Sequence, residues 1–468
     1  MGAAGGPMKP SDPECADAVV HLAHIDVGNQ VDLDALPLVY SAGEIQIHDN
    51  VVSLKHFKCL VAAGSFTIVN AKLTDMTGFD RLQTVTNDFY VEAGSAMSLA
   101  GLGALRSIGG ALTFLRTSFT DLHGLEKLTS VESLEIRNSS LQSTKGLGLE
   151  SAKTITIDEN PGLADLDGLN WQSVDELTIS SNASLTNLDG LASLTEITKR
   201  LQISQNDGLT NIAGLHSLTH VETITIDDNP SLVSLDGLQG LTRVTQMDVD
   251  QNIGLTALGA SITADIARFS LEDNPLLANI DALQGLTSIG TLDIDVASVA
   301  SLSGLSHLTD VDRLGLGQLQ IEDLQGLEHV RIANLAVGNN AKLKSLTGFN
   351  PTLQRLSSLG IGTNPLLTDL SALAALQTIT NNLTLDENDA LTSLAGLEQL
   401  SEVQILEVTN NAHLTNLAAL QALTVAPALT ITGNPLLPMC EAQGLADRLG
   451  DDPVFVHVSD NFAGGTCN

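Results

Sequence analysis

Aromatic and basic side chains are scarce in this chain: 468 residues hold one Trp, two Tyr and ten Phe, and 21 Lys plus Arg stand against 55 Asp plus Glu. The formal net charge of −34 disfavours nucleic acid and anionic membranes as partners, and favours cationic partners, divalent cations or simple solubility. With so few rings, a hydrophobic content of 43% must fill its core with uniform aliphatic layers. No segment approaches the roughly 18 consecutive apolar residues of a membrane span. Catalytic signatures are missing too. There is no GxSxG elbow, HExxH helix, P-loop or dinucleotide fingerprint, and Gly315-Leu316-Gly317 lacks the third glycine. The 11 histidines are scattered, and His216 and His220, four apart, fall on no repeat feature that makes them a metal pair. A narrow aliphatic core supplies no substrate pocket, so the expectation is a protein that is not an enzyme.

What the chain does have is one phrase that keeps returning, as in LTISSNASLTNLDGLASL (177–194), ITIDDNPSLVSLDGLQGL (224–241) and LTLDENDALTSLAGLEQL (383–400). The first hydrophobe of its inner pair recurs from Ile45 and Phe66 to Leu406 and Leu429, giving 18 rungs spaced 21 to 24 residues apart. A second apolar residue follows two positions later, so both point to one side of a short strand and the residue between them to the other. One such unit cannot bury its own stripe. Stacked units share one core, and the expected fold is therefore a solenoid with a parallel β-sheet on one face.

Five residues after the first hydrophobe stands an asparagine: Asn160, Asn182, Asn206, Asn229, Asn252, Asn274, Asn340, Asn364, Asn388, Asn411 and Asn434. Turned inward, each amide can satisfy backbone groups left without a ladder partner as the chain leaves the strand, and the expected array is a structural asparagine ladder. It lapses at Val296 and Gln318. A Gly-Leu corner follows, as at Gly168-Leu169, Gly190-Leu191, Gly214-Leu215, Gly237-Leu238, Gly304-Leu305, Gly326-Leu327 and Gly396-Leu397, with Ala282, Ala372 or Ala419 in the glycine's place elsewhere. The glycine allows a positive φ or a close approach and the leucine re-enters the core.

The run L-x-I-x-x-N-x-x-L-x-x-L-x-G-L over roughly residues 43–438 resembles the leucine-rich repeats of receptor L-domain-like proteins, particularly many-coiled versions on the surfaces of myxobacteria and related bacteria. The resemblance implies a leucine-rich-repeat solenoid that presents a binding surface, and it implies no catalytic residues.

The four cysteines lie outside the repeats, Cys15 and Cys59 near one end and Cys440 and Cys467 near the other. A solenoid exposes its terminal layers, so the nearby pairs point to Cys15–Cys59 and Cys440–Cys467 disulfides closing two caps, the alternative being four buried thiols. No CxxC occurs and no histidine stands at ligand spacing from these cysteines, which removes a zinc site. Disulfide caps imply an extracellular or cell-surface protein. The first 14 residues, rich in Gly, Pro and Ala, contain no signal-length apolar stretch, so the export signal is expected outside this chain. Gly6 stands where a myristoylation motif needs Ser or Thr. The expected organisation is a disordered segment over 1–14, an N-terminal cap with the first coils over 15–62, the solenoid over 63–438, and a C-terminal cap over 439–468. In that cap CEAQGLADRLG (440–450) reads as a short helix with Leu445 and Leu449 inward.

The outward strand positions form a platform, roughly 85 Å long if strands stack at about 4.8 Å. Asp227, Asp248, Asp250, Glu272, Asp293 and Asp295 place six acidic side chains on four successive strands, a like-charge cost that a basic partner or cation would offset. Asp248-Val249-Asp250-Gln251-Asn252 fails the calcium-loop pattern at Ile253, yet calcium between Asp248, Asp250, Asp293 and Asp295 is left open; no other cofactor is expected. The outward positions then become small at Gly315, Gly317, Ala336, Gly338, Gly360 and Gly362, which reads either as local irregularity or as a surface for close approach. Outward threonines such as Thr154, Thr156, Thr223, Thr225, Thr430 and Thr432 raise a glycan- or ice-binding face, which Asp248, Asp250, Arg268 and Glu272 interrupt. The sequence therefore points to recognition of a macromolecule, basic in character, on this acidic face, with a self-assembling surface protein as the alternative.

Overall fold

The computed structural model describes residues 13–18, 21–92, 98–449 and 455–464. It divides into two compact units, Met1–Leu241 and Thr242–Asn468. In the first, parallel strands follow one another from Leu22–Asn29 through Ser41–Asn50 and Ala62–Val69 to Glu196–Ser204 and His220–Asp227, each paired with its neighbour. In the second, parallel strands run from Arg243–Asp250 through Asp265–Glu272, Ser288–Asp295, Asp310–Gly317 and Arg331–Gly338 to Ala428–Thr432 and Phe455–Ser459.

The strands form where β-branched or aliphatic residues alternate with polar ones. In Thr154–Asp158, Ile155 and Ile157 are fully buried while Thr156 and Asp158 stand on the outer face. Every inner rung contributes two such side chains, each worth about 1.5–3 kcal/mol when buried, and the Leu residues of the return path close the layer. Eighteen rungs lie where the repeating phrase sets them. Two more lie outside the recognisable phrase, Ile25 with Val27 in the first unit and Val456 with Val458 in the second.

The asparagine ladder is built within both units. Asn182 is fully buried; its Nδ2 donates to Ile157 O at 2.9 Å and Ser180 O at 2.8 Å, while its Oδ1 accepts from Asn160 N at 3.1 Å. Each amide thus ties its own strand exit to the preceding coil. Ser139 and Thr117 continue the ladder with hydroxyls: Ser139 N donates to Asn160 Oδ1 and Thr117 N to Ser139 Oγ. In the second unit the chain of amides runs Asn340, Asn364, Asn388, Asn411 and Asn434, and ends on Asn461, which the repeat frame had not reached. The lapse falls at Val296 and Leu319, both buried. This corrects the expectation for Gln318, which is the positive-φ residue (56°) one place earlier.

That left-handed residue recurs before the ladder position, for example Glu159 (54°), Ser181 (55°), Gln205 (54°) and Glu387 (53°). It swings the next amide inward, and the hydrogen bonds the ladder gains offset a strain of about 1–2 kcal/mol per non-glycine residue. The Gly-Leu corner divides into two forms. Gly237 turns at φ +124° and Gly190 does not, but both lie against the preceding coil, where a Cβ would meet Ile212 O at 2.2 Å and Leu166 O at 1.9 Å. Outer hydroxyls form a second staircase that the sequence reading did not anticipate: Thr195 Oγ1 donates to Gln172 O at 2.9 Å and Thr219 Oγ1 to Thr195 O at 3.0 Å.

At the N-terminal end, Cys15 and Cys59 form the expected disulfide, packed with Ala18, Leu38 and Tyr40. At the other end the helix Met439–Leu449 buries Ala442, Leu445, Ala446 and Leu449. The expected partner of Cys440, Cys467, lies outside the described residues.

Candidate functional site

The outward faces of the second unit's strands carry two rows in direct register. One runs Asp248, Ser270, Asp293, Gly315, Ala336 and Gly360; the other runs Asp250, Glu272, Asp295, Gly317, Gly338 and Gly362. The pairing passes from the acidic strands to the glycine strands without a register shift. The small residues are thus part of a regular sheet surface. Asp227, the remaining acidic candidate, lies on the last strand of the first unit.

Where the rows change character, Glu272, Asp293, Asp295, Arg313, Gly315, Gly317 and Gly338 line one depression of about 370 Å³. Beyond it, Ala336 and Gly360 share a second depression of about 430 Å³ with Arg313, Asn334 and Ser358. Gly362 continues the row and lines neither. The glycines fall into two kinds. A Cβ at Gly315 would come within 2.3 Å of Asp293 Oδ1, and one at Gly317 within 2.8 Å of Asp295 Oδ2. These two are notches that let the neighbouring carboxylates lean over the sheet. At Gly360 a Cβ would meet nothing within 4 Å, and at Gly338 and Gly362 only a carbonyl oxygen at 3.4 and 3.6 Å. Packing inside the chain therefore gives no reason for glycine at Gly360 or Gly362.

The acidic groups are incompletely compensated. Arg313 Nε is 3.6 Å from Asp293 Oδ1, Gln246 Nε2 donates to Asp248 Oδ2 at 2.7 Å, and Ser270 Oγ donates to Glu272 Oε1 at 2.6 Å. Arg268 Nη1 reaches Gln246 Oε1 at 3.5 Å beside the rows. Burial raises the Asp295 carboxyl above the ordinary carboxylate range, Gln318 opposes that shift, and the charges of Asp273 and Glu272 add to it. Asp295 Oδ1 is buried and accepts no hydrogen bond among the described residues. Burial likewise raises Asp227, aided by Asp228 and opposed by Arg200.

Asp295 also borders a depression of about 300 Å³ with Gln251, Ile253, Asp273, Pro275, Ala297 and Gln318, beside the coils in which the ladder lapses. Sequence reasoning missed this apolar margin, since Ile253 stood out only as a misfit in a calcium loop. Among the described residues no three His, Cys, Asp or Glu side chains converge on a point that would hold a metal; the carboxylates stand in rows. No helix among those residues is long and apolar enough to cross a membrane.

Parallel coils with a shared leucine core, a buried ladder and one continuous outer face in each unit define a leucine-rich-repeat solenoid. No family model and no curated protein matches the chain. Among solved structures it is similar to an internalin, InlF, from Listeria monocytogenes, at 17% identity over 75% of this chain and 81% of that one, with a TM-score of 0.30. The functional domain of InlJ from Listeria monocytogenes, which includes a cysteine ladder, is similar at 19% identity over 86% and 82% of the two chains, with a TM-score of 0.27. The ectodomain of the Arabidopsis thaliana receptor kinase GASSHO1/SCHENGEN3, solved with Casparian strip integrity factor 2, is similar at 12% identity over 90% and 63%, with a TM-score of 0.30. The fold assignment itself rests on the register, the ladder and the buried stripe described above.

Proposed function

We propose that this chain is an extracellular or cell-surface binding protein of bacterial type that recognises a basic macromolecular partner without catalysis. The recognition surface is the outer sheet face of the second unit, from Asp248 and Asp250 across Glu272, Asp293 and Asp295 to Gly338, Gly360 and Gly362. One observation carries this reading: the acidic and glycine rows meet in unbroken register around a single depression, and Gly360 has open space above it. Rows of one sign draw in and orient a partner of opposite sign, and strands without side chains let its backbone come close. The Cys15–Cys59 disulfide supports an oxidising location.

A second reading is self-association. Phe455 is 59% exposed and Val456 44%, on a strand that pairs on one side only among the described residues. Edges of this kind recruit further strands.

The test is affinity capture from cell-surface and medium fractions of the producing organism. Wild type is compared with an Asp248→Lys, Asp250→Lys, Asp293→Lys variant of equal circular dichroism. A partner retained by wild type alone supports the acidic face. Equal retention by both contradicts it, and recovery of the chain's own copies alone favours self-association.

A further inference from the structure

The first two strands of the first unit are joined by an imidazole that meets a carboxylate on each nitrogen. His48 Nε2 lies 2.8 Å from Asp26 Oδ1 on the preceding strand, and its Nδ1 lies 3.1 Å from Asp49 Oδ2. Gly28 makes the room: a Cβ there would come within 3.2 Å of His48 Cε1 and 3.4 Å of Nδ1. We propose that Asp26, His48 and Asp49 form a pH-operated latch, which holds the N-terminal strand Leu22–Asn29 against Ser41–Asn50 in acid and slackens as pH rises.

The argument starts from donor counting. A carboxylate only accepts hydrogen bonds, and a neutral imidazole has one N–H and one lone pair, so bonds to both carboxylates require the imidazolium. Loss of the proton leaves a lone pair facing one carboxylate and removes the charge between two anions. Among the described residues the surroundings offer no substitute. His24, on the first strand, is engaged 3.2 Å from Glu44; the third strand sets Val69 opposite His48; and Lys72 Nζ is held by Asn50 Oδ1 at 2.8 Å. The hydrogen bonds to Asp49 and then Asp26 raise the pKa of His48, against a smaller effect of burial. A raised folded-state pKa contributes stability that is complete below the unfolded value, about 6.5, and is lost as pH climbs through the folded value. The side chain is 40% exposed, so added salt weakens the latch. Among the described residues the strand Leu22–Asn29 pairs only with Ser41–Asn50, and its opening is local.

The test measures two quantities that linkage makes equal. NMR titration gives the pKa of His48 in the intact chain, and amide exchange gives the opening constant of residues 22–29 between about pH 5.5 and 8.5, corrected for intrinsic exchange. The expected results are a His48 pKa above 6.5 that falls in Asp26→Asn, and an opening constant that grows tenfold per unit of that elevation. In His48→Gln most of that growth is lost. An unchanged pKa in Asp26→Asn, or an unchanged pH dependence in His48→Gln, overturns the latch.

Discussion

The carboxylate of Asp293 lies over Gly315, so close that a methyl group on Gly315 would come within 2.3 Å of Oδ1, while Gly360, two strands further along the same row, has nothing above it within 4 Å. Glycine within a strand costs about 0.5–1 kcal/mol relative to alanine. Gly360→Ala is therefore expected to stabilise the protein by about that amount. Gly315→Ala forces Asp293 aside, away from Arg313, and is expected to be less stable than Gly360→Ala by about 1 kcal/mol or more. Urea unfolding followed by circular dichroism compares the two.

Asn182 is expected to be among the costliest polar side chains to truncate. Asn182→Ala takes this partner from the buried Ile157 O and Asn160 N, at about 1–3 kcal/mol for each group left unsatisfied, while Ser180 O keeps its hydrogen bond from Glu159 N. The single tryptophan, Trp171, is buried in the same unit, so its fluorescence reports this loss directly. Substitution of the exposed Ser184 on the same coil serves as a control with a small effect.

Asp295 should show stability given up for an acidic surface. Its folded-state pKa is raised, so the folded form binds the proton more tightly than the unfolded chain. The penalty is absent below the unfolded value, about 3.9, and grows to its full size as pH rises through the folded value. Asp295→Asn is accordingly expected to raise the melting temperature at pH 7 and to change it little at pH 3. The same substitution should weaken partner binding at neutral pH, separating stability from recognition.

Much of the fold was legible because it is written as a period. Ile155, Leu177 and Leu201 set the strands, and the asparagine after each set the ladder, since a buried stripe and a buried amide each demand one residue type at a fixed place. The terminal rungs were not legible. Val456 is 44% exposed, and the phrase that marks other coils is missing around it. Nor was the left-handed residue, because Glu159, Ser181 and Gln205 share a backbone angle without sharing a side chain. At the candidate face the outward residues were readable from alternation alone. The division of the glycines into notches beneath Asp293 and Asp295 and an open position at Gly360 was not. It depends on where neighbouring carboxylates lean, which a sequence does not carry.

The most direct measurement of the central claim places a photo-crosslinking amino acid at Gly360 and, in a second protein, at Gly103. Both positions have open space around them, one on the glycine rows of the second unit and one in the first unit. Each protein is irradiated with the partner isolated by affinity capture. The account predicts a crosslink from position 360, none from 103, and loss of the former when Asp293→Lys is added. Capture from 103 alone, or capture from 360 that is indifferent to Asp293→Lys, would contradict it.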